Sequence, residues 1–131
     1  MKFTDLEVWK SAHEYTLFIY KITSIFPKSE QFGLISQLRR AAVSIESCIA
    51  EGFSRFHYKD RLNFYYDSLG SISESESQLI DSLDLNFIQK NTYEEGCSKL
   101  RRIGYLLVGL VNATNNLSKQ EKNIKIQSKK K

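Results

Sequence analysis

The sequence predicts an all-α protein, an up-down-up-down bundle of four helices. Three observations predict it. Apolar residues recur at steps of three and four along almost the whole chain, the spacing of one face of a helix. The only proline is Pro27, so no proline interrupts a helical run after it. Strand signals are missing: there is no alternating β-branched run and no Asn-Gly hairpin turn. At 131 residues the chain can build one core, and long helices with short connections pack as antiparallel neighbours.

The first helix is expected to open in Phe3-Thr4-Asp5-Leu6-Glu7-Val8. Thr4 is placed to cap it, Glu7 to close a capping box, and Phe3 with Val8 to form a hydrophobic staple. Val8, Ala12, Tyr15, Ile19, Ile22 and Phe26 then make one stripe, which Pro27 stops. The second helix is expected from about Glu30 to Gly52. Ile35, Leu38, Ala42, Ile45 and Ile49 form its stripe, widened by Leu34, Ala41 and Cys48, with Gly52 as C-cap. The third runs from about Tyr58 to Leu83 with Leu62, Tyr65, Leu69, Ile72, Leu79 and Leu83 in register. Glu76 falls on that apolar line, against the pattern. The fourth is expected to start at Thr92 with a second capping box to Glu95, and carries Leu100, Ile103, Leu107, Leu110 and Leu117. The bundle should therefore occupy residues 1–117, leaving 118–131 as a Lys-rich flexible tail.

Charge is unevenly held. The net charge is +4, yet residues 118–131 contain six lysines and one glutamate, so the preceding 117 residues carry a net −1. Such a tail is drawn to phosphates or anionic surfaces, or simply keeps the chain soluble. Apolar stretches such as Leu106-Leu107-Val108 are far shorter than a membrane span requires, and the opening residues lack a secretory signal's apolar core. A cytoplasmic protein with no membrane partner is expected.

The residues offer little catalytic chemistry. A di-iron bundle needs Glu-x-x-His pairs, but the residues three before His13 and His57 are Lys10 and Ser54. Cys48 and Cys97 have no Cys-x-x-Cys spacing and read as small buried thiols. No phosphate-binding glycine loop and no Gly-x-Ser-x-Gly elbow occurs. The expectation is no enzyme, no catalytic residue, no metal, no cofactor and no small-molecule substrate.

Two features stand out instead. Gln37, Arg40, Ser44, Ser47 and Glu51 form a polar stripe on the second helix, facing Asp67, Ser71, Glu74, Gln78 and Asp81 on the third. With a turn near residues 53–57, Arg40 should lie opposite Ser71, one turn from Asp67 and Glu74. This reads as an interhelical or intersubunit ion-pair seam, or as a polar groove. The second feature is residues 53–66, which hold six of the sixteen aromatics interleaved with Arg55, Lys59 and Arg61. Phe56 and Tyr58 beside these cations suit a protein interface first, with a site where bases stack and phosphates are held as the alternative. The terminal Lys129, Lys130 and Lys131 would add unspecific phosphate contacts.

These residues carry a resemblance. Phe3-x-Asp5-Leu6-x-Val8-Trp9, Phe26-Pro27-x-x-Glu30-x-Phe32-Gly33-Leu34, Gln37-x-Arg39-Arg40-Ala41-Ala42-x-Ser44-Ile45, Ile49-Ala50-Glu51-Gly52-x-x-Arg55 and Gly70-Ser71-x-x-Glu74 resemble a bacterial four-helix-bundle family. Its members include proteins encoded within intervening sequences of 23S ribosomal RNA genes. The resemblance implies a bundle assembled into a ring-shaped homopentamer, with no established enzymatic activity. A distant relative is an accessory protein of retroelement reverse transcriptases that binds nucleic acid through a basic surface. Members often have Pro and Asn where this chain has Glu46 and Cys48, so the second helix should be straighter here. The expected function is thus an assembly or adaptor role, with a nucleic-acid-binding accessory factor as the alternative.

Overall fold

Residues 1–130 are described in the computed structural model, and they form four long helices with no strand among the described residues. The helices are α1 (Glu7–Thr23), α2 (Leu34–Ser54), α3 (Tyr58–Asp84) and α4 (Lys90–Lys129). Single 3₁₀ turns at Phe3–Asp5 and Lys28–Glu30 precede α1 and α2. Each helix packs beside the next in sequence, and α4 closes against α1, which is the up-down-up-down arrangement.

The aliphatic stripes of α1 and α2 build half the core. Val8, Ala12, Tyr15 and Ile19 are buried against Leu38, Ala42, Ile45 and Ile49, each large side chain worth about 1.5–3 kcal/mol on burial. From α4, Leu100, Ile103, Leu107 and Val111 complete it. The α3 contribution differs from the expected stripe. Its buried line runs through Ser68, Ser75 and Ser82, one heptad apart, with Tyr65, Gln78 and Leu79. Glu76 is exposed. The expected line follows large apolar residues, whereas α3 turns its small face inward. Ser68 donates from Oγ to the Ile45 carbonyl at 2.9 Å, and Ser82 to the Gln78 carbonyl at 2.8 Å, so the buried hydroxyls are paired.

The helix ends depart from the sequence reading in several places. Leu6, not Thr4, is the N-cap of α1, because Phe3–Asp5 form their own turn closed by the Lys2 N–H donating to the Asp5 carboxylate. Phe3 then packs edge-on to Trp9. Helix α1 stops at Thr23, three residues short of Phe26, whose ring remains buried beside Phe87. Helix α2 starts at Leu34, whose N–H is held by the Glu30 carboxylate at 3.1 Å. Helix α4 starts at Lys90 with no side-chain cap from Thr92. The α3–α4 connection is a Schellman closure: Asn86 takes φ 62°, Phe87 N–H donates to Ser82 C=O, and Asn86 N–H to Leu83 C=O.

Gly52 is not a cap either. It sits buried inside α2, where a methyl group would lie 2.7 Å from Tyr65 Cε1, so its smallness sets the close approach of α2 and α3. Helix α2 is unbroken through Glu46, as expected from the missing proline. Residues 118–129, expected as a flexible tail, are helical: α4 continues to Lys129. Lys, Gln and Glu favour helix, no breaker intervenes, and Glu121 pairs with Lys125 one turn on at 3.4 Å.

Candidate interaction surface

Helices α2 and α3 meet along a polar seam. Arg40 Nη2 donates to Glu74 Oε1 at 2.6 Å, the Ser44 and Ser71 hydroxyls share a hydrogen bond at 2.9 Å, and Gln78 Nε2 reaches Gln37 Oε1 at 3.4 Å. The seam therefore exists, but its register corrects the expected one. Arg40 faces Glu74 and Ser44 faces Ser71, a shift of about one turn. The cause is local: α2 runs to Ser54, so the chain reverses nearer His57 than the expected pivot. Asp67 stays exposed without an ion pair among the described residues, and Glu51 pairs with Arg55 in its own chain segment at 3.3 Å.

The Arg40 and Glu74 side chains are 59% and 44% exposed, so in the protomer this is a solvated pair worth about 0–1 kcal/mol. Beneath it lie harder polar contacts. Tyr15 Oη and Ser75 Oγ share a 2.5 Å hydrogen bond in the core, and burial pushes the Tyr15 phenol far above its ordinary pKa. Tyr65 Oη and Gln78 Oε1 are buried without a hydrogen-bond partner among the described residues. Burial also raises the Cys48 thiol, which holds it away from the nucleophilic thiolate. On the α1–α2 side, His13 Nδ1 meets Glu46 at 2.9 Å while its ring stacks on Trp9. The partner of Glu46 on α1 was not legible from spacing within α2.

The aromatic–basic segment wraps the α2–α3 reversal, and its two arginines are already engaged. Arg55 lies over the Phe64 ring at 4.8 Å, and Arg61 over Tyr58 at 5.4 Å and Phe53 at 5.7 Å. Arg61 Nε donates to the Arg55 carbonyl at 2.6 Å, which ties the turn together. Phe56 is 87% exposed, and Lys59 is exposed beside it in sequence. The arm of α4 comes to this same end: Tyr58 borders a cleft of about 370 Å³ with Leu117, Gln120, Glu121, Ile124 and Lys125. Lys129 ends α4 and Lys130 follows it, both exposed; Lys131 lies outside the described residues.

Spacing alone did not reveal the outward apolar residues on the other faces. Tyr105 and Val108 project from α4, Tyr66 and Ile80 from α3, and Leu17 from α1. A sequence signal existed, since these residues fall off the core stripes. A cleft of about 790 Å³ has Ile22, Ile25, Leu83, Phe87 and Ile88 as apolar lining, with Lys90 its one charged residue. Among the described residues, no three His, Cys, Asp or Glu side chains gather where they could hold a metal ion, and no helix is long and apolar enough to cross a membrane.

Comparison with known proteins agrees with this architecture. The family described as 23S rRNA-intervening sequence protein matches residues 4–109. A crystal structure of a protein of unknown function from the S23 ribosomal protein family of Bacteroides thetaiotaomicron superposes with a TM-score of 0.71 at 22% identity. The superposition covers 79% of this chain and 97% of that one, and at this identity it establishes the fold. No curated protein matches the sequence.

Proposed function

We propose, since this chain belongs to the 23S rRNA-intervening sequence protein family, that it is a non-enzymatic cytoplasmic assembly or adaptor protein working as a ring of five copies. The observation that carries the reading is the apolar surface a single protomer leaves outside. Phe56 is 87% exposed and Tyr105 79%, with Tyr66, Ile80 and Val108 also outward. Isolated exposed side chains are ordinary, but outward aromatic and aliphatic residues repeated along two adjacent helices mark surfaces that another subunit covers. The number five comes from the sequence resemblance. Light scattering on the full chain at tens of micromolar tests the reading. A particle of five times 15.2 kDa is expected, and a species of 15.2 kDa overturns it.

One observation favours a second reading, a nucleic-acid-binding accessory role. The aromatic turn and the lysine arm of α4 share one end of the bundle, with Tyr58 beside Ile124 and Lys125. Phosphate-dominated binding to that end weakens steeply with salt, whereas apolar assembly does not. Titration of single-stranded RNA at two ionic strengths separates the roles. Absence of binding at low salt removes the second reading.

A further inference from the structure

We propose that the outward face of α4 in one copy seats on the outward face of α3 in the neighbouring copy, around an axis parallel to the bundle. This rests on the assembly reading above and adds the two faces that meet. The contact is head-to-tail, the kind that closes into rings.

Charge selects the pairing. Residues 62–84, nearly all of α3, carry Asp67, Glu74, Glu76, Asp81 and Asp84 and no Lys or Arg. Residues 98–120 of α4 carry Lys99, Arg101, Arg102 and Lys119 and no Asp or Glu. Two α3 faces would repel, as would two α4 faces; one on the other is complementary.

Shape agrees with charge. Arg101, Tyr105 and Val108 project from α4 at steps of four and three, all exposed. On α3 the matching outward line is Tyr66, Gly70, Ser73, Ser77 and Ile80, all five exposed. It is a trough of small residues between two larger apolar ones. Beyond its own turn of helix, nothing in the protomer lies within 4 Å of where a Cβ on Gly70 would stand, so packing inside the protomer makes no use of that glycine. A helix docking from outside does.

Register then brings the parts level. Inside the protomer, α3 and α4 are antiparallel, and Gly96 packs against Leu79. Twenty-one residues further the same register places Leu117 beside Tyr58 in the shared cleft. Nine residues on from Gly96 and nine back from Leu79, Tyr105 and Gly70 stand at equal height along the bundle. Rotation about an axis parallel to the bundle preserves height. Tyr105 of one copy therefore meets the Gly70 trough of its neighbour, and Arg101 comes level with Glu74.

The test uses the full chain. Gly70→Trp fills the trough without touching its own protomer. Full-length protein should run as an oligomer, and G70W should fall to 15.2 kDa with unchanged helical circular dichroism and a cooperative melt. A second arm needs no bulky residue. In a background with Cys48→Ser and Cys97→Ala, chains bearing Gly70→Cys are mixed with chains bearing Tyr105→Cys and treated with a short thiol cross-linker. Cross-linked dimers should form in the mixture and not from either chain alone. An oligomer that survives G70W, or Tyr105→Cys chains that cross-link to themselves, overturns this interface while leaving the assembly reading intact. A wild-type chain that is monomeric overturns both.

Discussion

The same substitution at two glycines should have opposite effects, and the structure supplies both magnitudes. Gly109 is exposed in the middle of α4, with nothing within 4 Å of a Cβ placed there. In a dissociated protomer alanine at that position gains helix propensity alone, about 0.5–1 kcal/mol, which raises the melting temperature by roughly 2–5 °C for a domain this size. Gly52 gains the same propensity, but its new methyl meets Tyr65 Cε1 at 2.7 Å and Phe64 Cβ at 3.0 Å. The Tyr65 ring is fully buried, and the Phe64 Cβ is fixed to the backbone, so neither yields without parting α2 from α3. Overpacking of this kind costs about 1–3 kcal/mol, which outweighs the propensity gain. Gly52→Ala should therefore lower the midpoint by several degrees while Gly109→Ala raises it. Urea and thermal melts followed by circular dichroism, at a dilution where all three chains are monomeric, give the comparison. A Gly52→Ala midpoint that rises in step with Gly109→Ala would refute the close approach of the two helices.

Tyr15→Phe and Ser75→Ala each strand one buried hydroxyl, so each should cost about 1–3 kcal/mol while the double variant costs less than their sum; a double-mutant cycle in urea checks it. Because burial raises the folded-state Tyr15 pKa above its ordinary value of 10.0, the neutral phenol is the form the fold holds. Stability from this group is full below about pH 10 and is lost as pH rises beyond it, so alkaline melts should fall less steeply for Tyr15→Phe. Arg40→Ala should cost no more than about 1 kcal/mol in a dissociated protomer, since both partners are solvated; a loss above about 3 kcal/mol would mean the pair is desolvated. Removing residues 118–131 should leave the fold and the oligomer intact, as residues 119–130 are all exposed; a truncated chain that unfolds contradicts this. If RNA binding exists, the same truncation should flatten its salt dependence, by roughly 0.7 in log–log slope for each phosphate the arm had neutralised.

How much of this was legible depended on which residues carried the information. The α1 and α2 stripes were readable because Ile19, Leu38, Ile45 and Ile49 are bulky aliphatics at helical spacing and all are buried. The α3 stripe resisted reading because its inward line is Ser68, Ser75 and Ser82, residues that do not register as apolar. Ser75 and Ser68 take their partners from other helices, Tyr15 and the Ile45 carbonyl, which no local pattern reveals. Helix ends misled for a related reason. Thr4 and Thr92 had the composition of caps, yet tertiary packing set other boundaries, and the real stop signal at Asn86 is a backbone conformation rather than a motif. The residue types of the α2–α3 seam were legible, but its register hung on where the chain reverses. The aromatic turn was visible as composition. That Arg55 and Arg61 spend themselves on Phe64, Phe53 and Tyr58 depends on side-chain geometry that composition does not encode.

Helix α3 is built the wrong way round for a molecule that works alone. It buries Ser68, Ser75 and Ser82 and turns Tyr66 and Ile80 outward, while α4 turns Tyr105 and Val108 outward as well. A solitary bundle would gain about 1.5–3 kcal/mol for each such side chain turned inward. The arrangement makes sense if the outward residues find cover elsewhere. A single helix-on-helix seam is a small interface, and each association costs several kcal/mol in lost rigid-body freedom. Closure changes that balance. An open row of copies has one interface fewer than it has members, whereas a ring has as many interfaces as members, so the last interface forms without a further association cost. Modest, charge-matched faces on α3 and α4 would then be enough, and a ring held by them would come apart as a unit rather than shed copies one by one.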